Sequence, residues 1–157
     1  PGELAAELNR RFLVSNADED KYFTLLYGII NSEQMTLRWV RAGHPRPMLL
    51  NSSGVTLLEN DNPPIGLLDD IEYAEGLVQL NDGDQIFVYS DGLADAENNR
   101  EEQFGVHRMI NALSHRYGYR TEENLQRLIS SLVEFRKETE QTDDVSLLAL
   151  GISLLGK

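Results

Sequence analysis

The 157-residue chain contains no cysteine, which excludes disulfide frameworks, thiol nucleophiles and thiolate-bound metals and leaves oxygen and imidazole groups as ligands. Basic residues are scarce beside acidic ones, 14 Lys and Arg against 26 Asp and Glu, for a formal net charge of −12. Duplex nucleic acid is held largely by cationic contacts to phosphate, so this balance predicts no nucleic-acid partner. No apolar run approaches the ~20 residues that span a bilayer, and the amino-terminal segment lacks the basic start of a signal peptide. The expectation is a cytoplasmic protein with no membrane partner. What is present is ordinary for a globular protein, with 41% hydrophobic and 25% charged residues. The composition predicts a packed core, and the length predicts a single domain over residues 1–157.

Patterning predicts the elements. Leu4, Leu8 and Phe12 recur at steps of four, an amphipathic helix over 3–14 with Glu3, Glu7, Arg10 and Arg11 towards solvent. Tyr22 to Ile30, a turn at Asn31-Ser32 and Met35 to Ala42 read as a hairpin, with Leu37 and Trp39 on one face. Met48 to Leu50, Asn51 to Gly54 and Val55 to Leu58 read as a second hairpin. Strands joined by such short turns run antiparallel. A strand over 72–80 follows a Pro- and Gly-bearing loop, and Asn81 to Asp84 turns the chain into 85–89, a strand apolar enough to be buried on both sides. Helices over 103–116 and 121–137 come next, the second with Thr121 as its N-cap and Glu122 and Glu123 in its first turn. A last apolar strand covers 145–150. Strands at both ends with two helices before the last one predict a layered antiparallel α+β fold rather than parallel βαβ units.

Asp91 directly follows the most apolar strand, and Asp143 and Asp144 directly precede the last one. Carboxylates at matching ends of adjacent strands, ~4.8 Å apart, can share a cation, and Gly92 lets the backbone turn sharply beside the first. Oxygen-only ligation suits Mg2+ or Mn2+ rather than zinc. Asp-Gly is equally an ordinary turn dipeptide, so pattern alone leaves both readings open.

Residues 83–96, GDQIFVYSDGLADA, resemble a motif of the SpoIIE/RsbU group within the PPM (type 2C) metal-dependent phosphatases. Further matches follow in that family's order: FTLLYG at 23–28, RAGHP at 41–45, PIG at 64–66, QFG at 103–105 and DDVSLL at 143–148. The resemblance implies an antiparallel β-sandwich flanked by helices, and two Mn2+ or Mg2+ ions in the complete domain. It implies Asp91 and Asp143 as metal ligands, with Asp144 as a weaker third. The chemistry implied is hydrolysis of phosphoserine or phosphothreonine by a metal-bound water, with no covalent phosphoenzyme. The implied partner is a phosphorylated regulatory protein of the anti-sigma-factor-antagonist type, and the implied context is a longer protein with an upstream sensor or receiver domain.

Other residues attract plainer readings. His44 sits in a Gly-His-Pro turn and reads as a loop hydrogen-bonder, His107 and His115 as solvent-facing residues eight apart on one helix, and Trp39 as core. Asp95 and Glu97 read as surface groups or supports for the motif, and Arg41 and Arg46 as solvated arginines. The sequence departs from the family in one respect: the Gly-Asp-x-x-Gly-His-Gly segment that supplies the remaining ligands is absent from the 157 residues. The expectation is therefore the C-terminal two thirds of a phosphatase domain, lacking its N-terminal strands, inactive alone and prone to homodimerise through unpaired strand edges. The alternative is a noncatalytic phosphatase-like signalling module that docks partner proteins.

Overall fold

The computed structural model describes residues 1–16, 21–141 and 143–153. The chain forms two compact units, one of residues 1–46 and 58–80, the other of 47–57 and 81–157. Among the described residues no helix is long and apolar enough to cross a membrane.

In the first unit, α1 (Gly2–Ser15) covers a three-stranded sheet of β1 (Leu25–Asn31), β2 (Thr36–Ala42) and β5 (Gly76–Gln79), ordered β1-β2-β5 and antiparallel throughout. The hairpin register runs from Leu25 opposite Ala42 to Asn31 opposite Thr36. Its turn is set by Asn31, whose side-chain oxygen accepts the N–H groups of Glu33 and Gln34, and by Met35 at a φ of 51°. Leu37 and Trp39 are buried as expected. The helix turns a different line inward from the predicted one: Leu4 is 48% exposed, whereas Ala5 and Asn9 are buried, flanked by half-buried Leu8 and Phe12. Asn9 is tolerated there because its amide donates to the Leu68 carbonyl at 2.9 Å and accepts from the Gly66 N–H at 2.7 Å.

The strand expected over 72–80 is confined to Gly76–Gln79. Ala74 has both backbone groups bonded to the Asn62 side chain, and Glu75 is drawn to Gly2 and Arg38. Polar partners from other segments thus take the place of ladder bonds.

In the second unit, β3 (Met48–Asn51), β4 (Gly54–Leu57), β6 (Gln85–Tyr89) and β7 (Leu147–Gly151) form an antiparallel sheet ordered β4-β3-β6-β7. Three helices, α2 (Asp91–Ala94), α3 (Gly105–Leu113) and α4 (Thr121–Arg136), intervene between β6 and β7. The core joins Met48 and Phe87, opposite one another in the sheet, to Phe104, Met109, Leu113 and Leu128 from the helical segment. β6 lies between two strands and is buried on both faces, which accounts for its near-continuous apolar run.

Three predicted helix features differ. α3 stops at Leu113, so His115 lies beyond it at a φ of 61° and the two histidines do not share a helix. Arg120, not Thr121, occupies the N-cap of α4, without a side-chain cap bond. Thr121 instead packs on β7, its Oγ1 2.4 Å from where a Gly151 Cβ would sit, so contact with the sheet outweighs capping.

Candidate metal centre

The end of β6 and the start of β7 are neighbours in the sheet, with Tyr89 opposite Leu147 as the last ladder pair. One residue further, Ser90 and Ser146 continue the pairing, the Ser90 N–H donating to the Ser146 carbonyl at 3.0 Å. The chain then enters α2 at Asp91, while the facing strand runs back through Asp144 to Asp143. Gly92 is buried where these segments meet: a Cβ there would lie 2.5 Å from the Asp144 carbonyl oxygen and 3.5 Å from the Asp143 Cβ. The glycine is helical and does not sit at positive φ. Its contribution is therefore space for a close backbone approach, not the sharp turn read from the sequence.

Asp91, Asp143 and Asp144 are all exposed. Asp91 Oδ1 accepts the Gly92 N–H at 3.1 Å, and Asp143 Oδ1 accepts the Asp144 N–H at 2.7 Å, which orients both carboxylates locally. Among the described residues, none of the three has a cationic side chain as an ion-pair partner. Hard, solvated oxygen donors of this kind suit Mg2+ or Mn2+. Gly92 and Asp143 also line a small recess with Glu97, Arg136 and Glu140. Among the described residues, no three His, Asp or Glu side chains converge into a set that could hold a metal. By donor type Asp91 and Asp143 suit a hard divalent ion; among the described residues no third group joins them to build a coordination shell.

The remaining candidates have structural partners. The His44 ring nitrogen lies 2.9 Å from the Pro45 carbonyl, consistent with a loop-holding role. Arg41 is not a solvated arginine: it is 8% exposed, donates to the His44 carbonyl at 2.5 Å and pairs with Asp61. Arg46 meets the same Asp61 at 2.7 Å. Nothing in local sequence pairs positions 41 and 61; the signal available was only an arginine inside a strand reading apolar on that side. Asp95 accepts from Gln103 at 3.3 Å, and Glu97 bridges to Gln103 through the backbone, both exposed.

The family model described as Stage II sporulation protein E (SpoIIE) matches residues 1–153. The chain belongs to the SpoIIE family. This SpoIIE-family chain is 25% identical over 143 residues to protein IcfG of Synechocystis sp., covering 90% of the chain and 22% of IcfG. It is 29% identical over 99 residues to phosphoserine phosphatase RsbP of Bacillus subtilis, covering 60% of the chain and 25% of RsbP. The chain thus spans about a quarter of the length of the curated relatives it matches.

Among solved structures, the SiaA-PP2C domain of Pseudomonas aeruginosa superposes with a TM-score of 0.83 at 18% identity, covering 98% of this chain and 61% of that one. The Mn-presoaked phosphatase domain of SpoIIE from Bacillus subtilis gives 0.72 at 18% identity, covering 100% and 68%. These likenesses establish the fold, mixed helix and antiparallel sheet of the PP2C type, over part of the domain.

Proposed function

We propose that this SpoIIE-family chain supplies Asp91 and Asp143, with Asp144 as a weaker third, to the metal centre of a cytoplasmic Ser/Thr phosphoprotein phosphatase. The substrate proposed is a phosphorylated bacterial regulatory protein of the anti-sigma-factor-antagonist type, with a sensor or receiver domain upstream. The observation that carries the reading is the close approach of the 143–144 segment to Gly92, which brings the two motif aspartates to neighbouring strand ends. Bound Mn2+ or Mg2+, two ions in the complete domain, supplies positive charge for phosphate oxygens and a water acidic enough to attack phosphorus.

The chain's own residues hold and orient. Asp91 is fixed at the first position of α2 and Asp143 at the approach to β7, each with one carboxylate oxygen on a neighbouring N–H, which leaves the other for an ion. Among the described residues two carboxylates leave a hard-ion site short of ligands, and on this reading the 157 residues alone should release no phosphate. A second reading, a noncatalytic docking module, is favoured by one observation: no third His, Asp or Glu joins the pair among the described residues.

The test is Asp91→Asn and Asp143→Asn in the full-length protein, assayed for Mn2+-dependent phosphate release from a phosphoserine protein. Both variants should fall to background with unchanged circular dichroism. Near-parental turnover in either would remove that residue from the ligand set, and an inactive parent would favour the docking reading.

A further inference from the structure

We infer that Ser90 is a positioning residue for the Asp91 and Asp143 pair, its hydroxyl clamping the segment that carries Asp143 to the strand end that carries Asp91. The inference rests on the metal-site reading proposed above.

The β6–β7 ladder closes at Tyr89 opposite Leu147, three residues short of Asp144. Beyond that pair, Ser90 makes three bonds to the facing segment. Its N–H donates to the Ser146 carbonyl at 3.0 Å, its hydroxyl oxygen accepts the Ser146 N–H at 2.9 Å, and its hydroxyl donates to the Asp144 carbonyl at 3.0 Å. A serine hydroxyl has one proton to give, and here that proton goes to the residue next to Asp143.

The same Asp144 carbonyl oxygen lies 2.5 Å from the place a Gly92 Cβ would occupy. Ser90 therefore holds the Asp144 peptide from one side while the bare Cα of Gly92 admits it on the other. Asp144 in turn donates its N–H to Asp143 Oδ1 at 2.7 Å. The hydroxyl thus reaches the Asp143 carboxylate through one residue.

Without the hydroxyl, the Asp144 carbonyl and Ser146 N–H can turn to water, since Asp144 and Ser146 are exposed. The fold should survive while the spacing of the aspartates loosens. Partners that orient ligands typically change metal affinity by about 10–100-fold when removed.

The test uses the full-length protein and titrates Mn2+ by electron paramagnetic resonance, with urea unfolding of the metal-free protein as the second readout. Ser90→Ala should weaken Mn2+ binding by about 10-fold or more. Ser90→Thr, which keeps the hydroxyl, should bind as the parent does, and Ser90→Val, which matches threonine in shape without the hydroxyl, should behave as alanine does. The Thr and Val comparison decides the matter if Ser90→Ala fails to fold. Parental Mn2+ affinity in Ser90→Val, alongside loss of binding in Asp91→Asn, overturns the clamp and leaves the metal site standing. Equal binding by the parent, Asp91→Asn and Asp143→Asn, or no binding by the parent, overturns the metal site and the clamp with it.

Discussion

At Gly92 a single methyl group would meet a backbone oxygen at 2.5 Å, a contact no flexible side chain can relieve. Gly92→Ala should therefore push the 143–144 segment away. Overpacking of this sort costs about 1–3 kcal/mol, measurable as a lower urea midpoint in the metal-free protein. Mn2+ binding should weaken with it, because Asp143 belongs to the displaced segment. Asp143→Asn should behave oppositely towards stability. Removing one of the neighbouring negative charges relieves repulsion, so thermal unfolding without metal should occur at the parental temperature or above it. At this scale the sequence was informative about residue type and less so about role. The Ser-Asp-Gly run marked the site, but the meaning of its serine and glycine lay in a carbonyl 52 positions later in the chain from Gly92, beyond any local pattern.

Helix α4 shows how a polar side chain can fix an element. Asn124 is fully buried; its amide donates to Gln85 Oε1 at 2.9 Å and to the Arg116 carbonyl at 3.1 Å, and its oxygen accepts from Arg116 Nε at 2.8 Å. Gln85 itself donates to the Tyr119 carbonyl at 2.7 Å, tying β6, the α3–α4 connection and α4 together. Asn124→Ala should destabilise the protein by about 1–3 kcal/mol for each buried partner left unsatisfied, read from chemical denaturation. In the other unit, the Gly2 N–H and Arg38 converge on Glu75 and hold its carboxyl below the ordinary 4.5. A lowered carboxyl stabilises the fold above its unfolded value, and that contribution disappears as pH falls through and below about 4.5. Glu75→Gln should flatten the acid limb of stability measured across that window, with a small amplitude because solvent screens exposed pairs. The hairpins and α4 were legible from periodicity and turn residues. The early end of α3, the shortened β5 and the uncapped start of α4 were not; Asn62 and Gly2 bind the residues before β5, and Thr121 lies against Gly151, all partners distant in sequence.

For the molecule as a whole, charge and sheet edges act against each other. The net charge of −12 opposes association, yet β7 is an edge strand whose Leu148 and Leu150 are 64% and 44% exposed, with no charged residue between Val145 and Ser153. We expect concentration-dependent self-association, strengthened by salt as the charges are screened, and lost in Leu148→Lys; sedimentation at several concentrations checks both. The family itself was readable without coordinates, since six short motifs in order are a property of the linear chain, and the family model spans residues 1–153. Element types followed as well, because the periods of helix and strand are local. What required folding was every relation between distant positions: Asn9 buried in place of Leu4, Arg41 closed over by Asp61, and the Asp144 carbonyl seated on Gly92 and tied to Ser90. Such pairs are chosen by which backbones come close enough to exclude a Cβ or share a proton, and that distance exists only once the sheets and helices have packed.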